Sequence, residues 1–206
     1  MLPLLDNLMW HALSGAQSRF ALGSGAVRRM APGFSPLIGF EDPERPDLAA
    51  LTALCEPGER FYCSVWAGPA PAGWRIEAEA QMFSMVWHGP CPTHDEAPEA
   101  LPLTAAHAQQ ALDLALLTKP GPFGLRTLEL GDYFGCFDKQ GRLMAMAGER
   151  MQAGNLREIS GVCTHPDFQG RGLAKRLMLK LVRRQVQRGE QPVLHVMSAN
   201  AGARGL

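Results

Sequence analysis

The chain has 206 residues, 46% of them hydrophobic and 19% charged, which is enough to bury a sizeable core as one large domain or two small ones. Twenty basic and twenty acidic residues cancel to a formal net charge of zero, which disfavours broad nucleic-acid binding. No run of about 18 apolar residues occurs and the opening MLPLLDNLMW lacks a basic segment, so a cytoplasmic protein with no membrane span is expected.

In chain order, Leu4, Leu5, Leu8, Met9 and Leu13 predict a docking helix within residues 4–21, with Asp6 as its N-cap. Residues 23–46 are rich in Gly and Pro and read as a loop with short extended pieces. A short helix is predicted over 48–54, stopped by Pro57 and Gly58, and a strand over 61–66. The run 77–87 reads as a second strand, paired with the first. His88, Cys91, His94 and Asp95 fall within eight residues, but no second ligand pair accompanies them, so an exposed turn is expected and no metal. Five widely spaced cysteines, Cys55, Cys63, Cys91, Cys136 and Cys163, point to reduced thiols. Thr104 is a candidate cap for a helix over 105–117 whose apolar stripe is Ala108, Leu112, Ala115 and Leu116. Strands follow over 133–137, 143–151 and 158–164 as an antiparallel run. A helix over 173–188 and a strand over 192–197 then give a strand, helix and strand crossover, hence a parallel pair in a mixed α/β fold.

The segment 157–189 holds the chemistry. Gln169, Gly170, Arg171, Gly172, Leu173 and Ala174 place two glycines where a helix must start, so main-chain N–H groups can face a phosphate without side-chain obstruction. Between Gln169 and Arg188 there are seven Lys or Arg and no acid. Cations in a first helical turn cost about 0.3–1 kcal/mol each unless an anion compensates, so a bound anion is inferred.

Those six residues match Q/R-x-x-G-x-G/A, and with EISGVCTHP before them and LHVMSAN after them the region from Gly131 to the C-terminus resembles the GNAT N-acetyltransferase superfamily. The resemblance implies a mixed, mostly antiparallel sheet with a splayed parallel strand pair. It implies a division into an N-terminal α/β region over 1–118, on the acceptor side, and an acyl-CoA-binding domain over 119–206. It implies acetyl-CoA as the donor and a primary amine as the acceptor, on a small molecule, an amino acid or a protein. The pantetheine arm would lie on Val162, Cys163 and Thr164, with the Val162 N–H polarising the thioester carbonyl. The pyrophosphate would lie on Gly170, Arg171, Gly172, Leu173 and Ala174, flanked by Gln169, Arg171 and Lys175. Glu158, eleven residues before Gln169, stands where the histone-acetylating branch keeps its general base, and Asn200 where relatives contact the cofactor arm.

Strand alternation places the Cys163 side chain in the core, whereas His195 shares a face with Val193 and Met197 and could look into the cleft. The resemblance also implies a terminal helix carrying a tyrosine acid and two last strands, and the sequence stops one residue before that tyrosine. Three alternatives are expected: a truncated sequence, a homodimer completing the sheet, or a CoA-binding regulatory module without efficient turnover.

Overall fold

The computed structural model describes residues 3–66 and 68–205. Helices α1 (Pro3–Asp6) and α2 (Leu8–Ser14) open the chain, followed by strands β1 (Ala21–Leu22), β2 (Val27–Met30) and β3 (Leu37–Phe40). Helix α3 (Leu48–Thr52) and strands β4 (Tyr62–Cys63), β5 (Met82–Val86) and β6 (Leu101–Pro102) come next. Helix α4 (Ala108–Thr118), strands β7 (Tyr133–Phe137), β8 (Leu143–Ala153) and β9 (Leu156–Thr164), helix α5 (Leu173–Gln187), strand β10 (Gln191–Met197) and helix α6 (Ala201–Arg204) complete it. Two sheets result, one ordered β1-β2-β3-β4 and one ordered β5-β10-β9-β8-β7-β6. The six-stranded sheet is antiparallel throughout except between β9 and β10, so the fold is the mixed, mostly antiparallel α/β arrangement expected.

Both faces of the large sheet are covered. On one lies α5, whose Leu173, Leu177, Leu181 and Val182 recur at helical spacing and pack on Phe134, Ala145, Ala147 and Ile159. Leu177 and Leu181 are fully buried, a contribution of roughly 1.5–3 kcal/mol each. Against the other face lie α4, through Ala111, Leu114 and Ala115, and α2, through Leu8, Ala12 and Leu13. Gln17 ties the N-terminal segment to β8, its amide donating to the Arg150 carbonyl at 2.7 Å and accepting from the Gln152 N–H at 3.2 Å.

Several local expectations are corrected. The docking helix is broken into α1 and α2 and ends at Ser14, because Gly15 follows and the chain turns into β1. Asp6 lies inside α1, and the residue capping α2 is Asn7, which makes no side-chain cap bond. The stripe of α4 is rotated from the expected one: Ala111, Leu114 and Ala115 are buried while Leu116 is 64% exposed. The strand expected over 77–87 shortens to β5 and pairs antiparallel with β10, from Val193↔Val86 to Met197↔Met82, instead of with the strand near residue 62. That pairing occupies the outer edge of β10 within the chain. It also means that β5 and β6 enter the six-stranded sheet from the N-terminal side of residue 118.

Candidate functional site

The geometry of β9 and β10 makes the site. Their parallel ladder runs Gln191↔Leu156, Pro192↔Arg157 and Val193↔Glu158, and goes no further along either strand. Beyond Glu158 the two strands part, leaving the β10-facing edge of β9 without a strand partner. On its other edge β9 carries a bulge. Residues 160 and 163 pair with 148 and 146, so β9 holds one extra residue there, and Gly161 at that point has φ +63°. A Cβ at Gly161 would come within 3.3 Å of the Tyr133 ring, so both conformation and space favour glycine. The bulge re-aims the main chain at Val162, whose side chain packs toward α5, while Cys163 is 7% exposed in the core under α4. Burial pushes the Cys163 thiol up to about 11, leaving it inert as a nucleophile near neutrality.

At the mouth of the opened pair, His165 is followed by a 3₁₀ turn, Pro166–Phe168, and then by the glycine loop. Gly170 and Gly172 both lie in the left-handed region, at φ +75° and +72°, and nothing stands within 4 Å of where a Cβ would be at either. Among the described residues, none of the main-chain N–H groups of Gly170, Arg171, Gly172, Leu173, Ala174 and Lys175 has a protein acceptor. Six neighbouring unpaired donors at the N-terminus of a 15-residue helix make this turn a candidate anion cradle. Arg171 lies over the Phe168 ring at 5.0 Å, Lys175 makes no ion pair among the described residues, and Gln169 is exposed beside them.

The remaining charge on α5 has a different explanation. Arg176 bonds to the Glu96 carbonyl and the Glu99 carboxylate, Lys180 to Asp95, and Arg184 and Arg188 to Asp132. Arg188 also pairs with Glu149 and Glu190. Four of the seven cations therefore answer acids elsewhere in the chain, and only Arg171 and Lys175 stand at the cradle itself.

Glu158 sits at the apex of the parting strands, on the face opposite α5. It is 1% exposed. Its Oε2 accepts from Arg150 Nε at 3.0 Å, and its Oε1 accepts from Arg150 Nη2 at 2.9 Å and faces His195 Nδ1 at 2.9 Å. Burial works against the charged form, but the Arg150 guanidinium and His195 outweigh it and hold the carboxyl down at about 2. Tyr133 stands near this group with its hydroxyl buried and, among the described residues, without a hydrogen-bond partner, and burial raises its pKa. Arg150 and Tyr133 escaped the sequence reading, although the adjacent charges Glu149 and Arg150 inside a mostly apolar strand are the kind of signal that marks buried ion pairs. Asn200 is exposed just ahead of α6. Two hollows flank the strands: about 410 Å³ between α4 and the turn before β8, with His165 in its wall, and about 310 Å³ beside Gln17, Arg157 and Arg188. Cys91 and His94 lie in an irregular segment, and among the described residues no group of three or more His, Cys, Asp or Glu is disposed to hold a metal.

A sheet opened between two parallel strands and a row of unpaired N–H groups beside it are the two features that the described residues bring together here. Comparison with known proteins narrows the class. The FR47-like protein family matches residues 133–206. A candidate acetyltransferase of the GNAT family from Novosphingobium aromaticivorans is 36% identical, covering 97% of this chain and 88% of its own, with a TM-score of 0.83. A Drosophila protein aligns at 16% identity over 87% of this chain and 67% of its own (TM-score 0.57). A GNAT-family acetyltransferase from Colwellia psychrerythraea aligns at 15% identity over 62% of this chain and 50% of its own (TM-score 0.51). The last two speak for the fold alone. No curated protein matches the chain. The chain belongs to the GNAT family, and acyl transfer is the class of chemistry that membership carries. Among the described residues no helix is long and apolar enough to cross a membrane.

Proposed function

We propose that the protein is a cytoplasmic acetyl-CoA-dependent N-acetyltransferase that moves the acetyl group to a primary amine, on a small molecule, an amino acid or a protein, by direct attack. The observation that supports this most is the row of unpaired N–H groups from Gly170 to Lys175 at the open end of the β9/β10 splay. Gly170, Arg171, Gly172, Leu173 and Ala174 would take the pyrophosphate, with Gln169 and the charges of Arg171 and Lys175 beside it. The free edge of β9 at Val162, Cys163 and Thr164 would hold the pantetheine arm as an added strand does, with Asn200 near its far side. The Val162 N–H, re-aimed by the bulge, would donate to the thioester carbonyl, where one preorganised donor is typically worth about 3–4 kcal/mol of barrier. Acetyl-CoA supplies the activated acyl group.

Residues 1–118 would form the acceptor side and 119–206 the acyl-CoA side. This fits the packing of α2 and α4 against the face on which Glu158 and His195 project, away from α5. Calorimetry with acetyl-CoA, CoA and ATP tests the reading: both CoA species should bind with one-to-one stoichiometry and ATP much more weakly. Absence of CoA binding overturns it. Binding without thiol release across a panel of amines would instead identify a CoA-binding module.

A further inference from the structure

The Glu158 carboxylate, expected from its position to take the acceptor's proton, is enclosed and has both oxygens engaged. We propose that His195 Nε2 is the proton acceptor in acyl transfer, with Glu158 and Arg150 as positioning residues stacked behind it; this rests on the acyl-transfer reading above. An ionised carboxylate only accepts hydrogen bonds, so the Nδ1 that faces Glu158 Oε1 at 2.9 Å must carry the hydrogen. The neutral ring then holds its lone pair on Nε2, on the side away from Glu158. Arg150, bound in a fork to the same carboxylate, keeps Glu158 charged and fixes its plane, so the tautomer is imposed from two residues back.

Placement agrees. His195 lies two residues beyond Val193, where the ladder with β9 ends, and so shares the face of Val193 while Leu194 turns into the α5 core. Its side chain keeps 15% of its surface exposed, against 1% for Glu158, so of the pair it is the member an incoming amine can reach. The groups around it from each packed element are few: Glu158 from β9, Arg150 from β8 through that carboxylate, and Tyr133 from β7 beside them. Strand β5 brings Ser84 opposite and no titratable side chain. One proton passes from the acceptor ammonium to Nε2, and the nitrogen lone pair forms the C–N bond as the C–S bond breaks. The second proton shed by the nitrogen ends on the CoA sulfur, and the imidazolium returns its proton to solvent.

Two readouts test this, one of which needs no acceptor. Diethyl pyrocarbonate, which carbethoxylates unprotonated accessible imidazole nitrogen, should modify His195 in the wild-type chain, and acetyl-CoA should slow that modification; both are read by peptide mass spectrometry. In thiol-release assays with glycine, phenylethylamine and spermidine, His195→Gln should lower kcat by about 10²-fold or more and remove the acidic limb of the pH profile. Its calorimetric affinity for acetyl-CoA should be unchanged. Glu158→Gln should keep acetyl-CoA binding but lose rate and shift the limb, with Glu158→Asp recovering part of both. An unmodified or unprotected His195, or a His195→Gln variant that keeps rate and limb, overturns the proposal. Loss of acetyl-CoA binding by the wild type would overturn the acyl-transfer reading instead.

Discussion

Replacing Arg150 with Met removes the guanidinium that, alone among the described residues, bonds to Glu158, and leaves a carboxylate with 1% exposure facing one histidine. Removing one partner of a buried pair typically costs about 3–5 kcal/mol, a large share of the roughly 5–15 kcal/mol that holds a domain folded. The sign of the pH dependence separates this cause from lost packing. In the wild type the folded-state value, about 2, lies below the ordinary carboxylate value of 4.5. The ionised group therefore contributes its full stability above the unfolded value and loses it as pH falls from 4.5 toward 2. At 1.36 kcal/mol per unit this is a contribution of ~3 kcal/mol. Without Arg150, desolvation dominates and the folded state binds the proton more tightly than the unfolded one, so Arg150→Met should gain stability as pH drops from 8 to 5. Urea unfolding at pH 5, 6, 7 and 8 reads it: the gap from wild type should be widest at pH 8 and narrow toward pH 5. Adding Glu158→Gln to Arg150→Met should recover most of the loss. A gap below about 1 kcal/mol that does not change with pH would refute the assignment of a buried, ionised Glu158.

Tyr133→Phe deletes a buried hydroxyl that has no partner among the described residues, so unfolding should show it neutral or stabilising by up to about 1–3 kcal/mol, where a typical core change destabilises. Gly148→Ala should be poorly tolerated, because its Cβ would fall 2.1 Å from a Tyr133 ring carbon; thermal melts should show a loss beyond about 3 kcal/mol, and combination with Tyr133→Ala should relieve part of it. Cys163, 7% exposed and with its thiol pushed up to about 11, should resist thiol reagents at pH 7 until the chain unfolds, as mass spectrometry of alkylated peptides will show. Gly172→Val forces a branched side chain to φ +72° and covers the cradle, and should weaken CoA binding at least tenfold in calorimetry while Lys175→Ala weakens it less.

The parts of the fold readable from sequence are those set by short-range periodicity. The β7–β8–β9 meander shows as apolar runs set off by turn residues, α5 carries a 3.6-residue pattern, and Gly170 and Gly172 announce left-handed turns by their identity. What escaped is non-local. The partner of β5 is a strand more than a hundred residues later, and nothing in Met82–Val86 names it. The cations of α5 read as an unbroken anion-seeking face, yet Asp95, Glu99 and Asp132, distant in sequence, take up most of them. At the site, the family resemblance pointed to Glu158 but did not show Arg150 across the β8–β9 turn or His195 across the splay. Those contacts decide whether a carboxylate meets substrate or stands behind the group that does.

The proposed function puts a CoA pyrophosphate on the N–H groups of Gly170 to Lys175, at the open end of the β9/β10 splay. Amide chemical-shift mapping of the ¹⁵N-labelled chain measures this directly, with CoA and, separately, with pantetheine. CoA should move the amides of residues 170–175 most and those of Val162 to Thr164 next, whereas pantetheine should move the second group and leave the first nearly still. Equal perturbation of residues 170–175 by both, or CoA shifts gathered around Gln17, Arg157 and Arg188, would contradict the account.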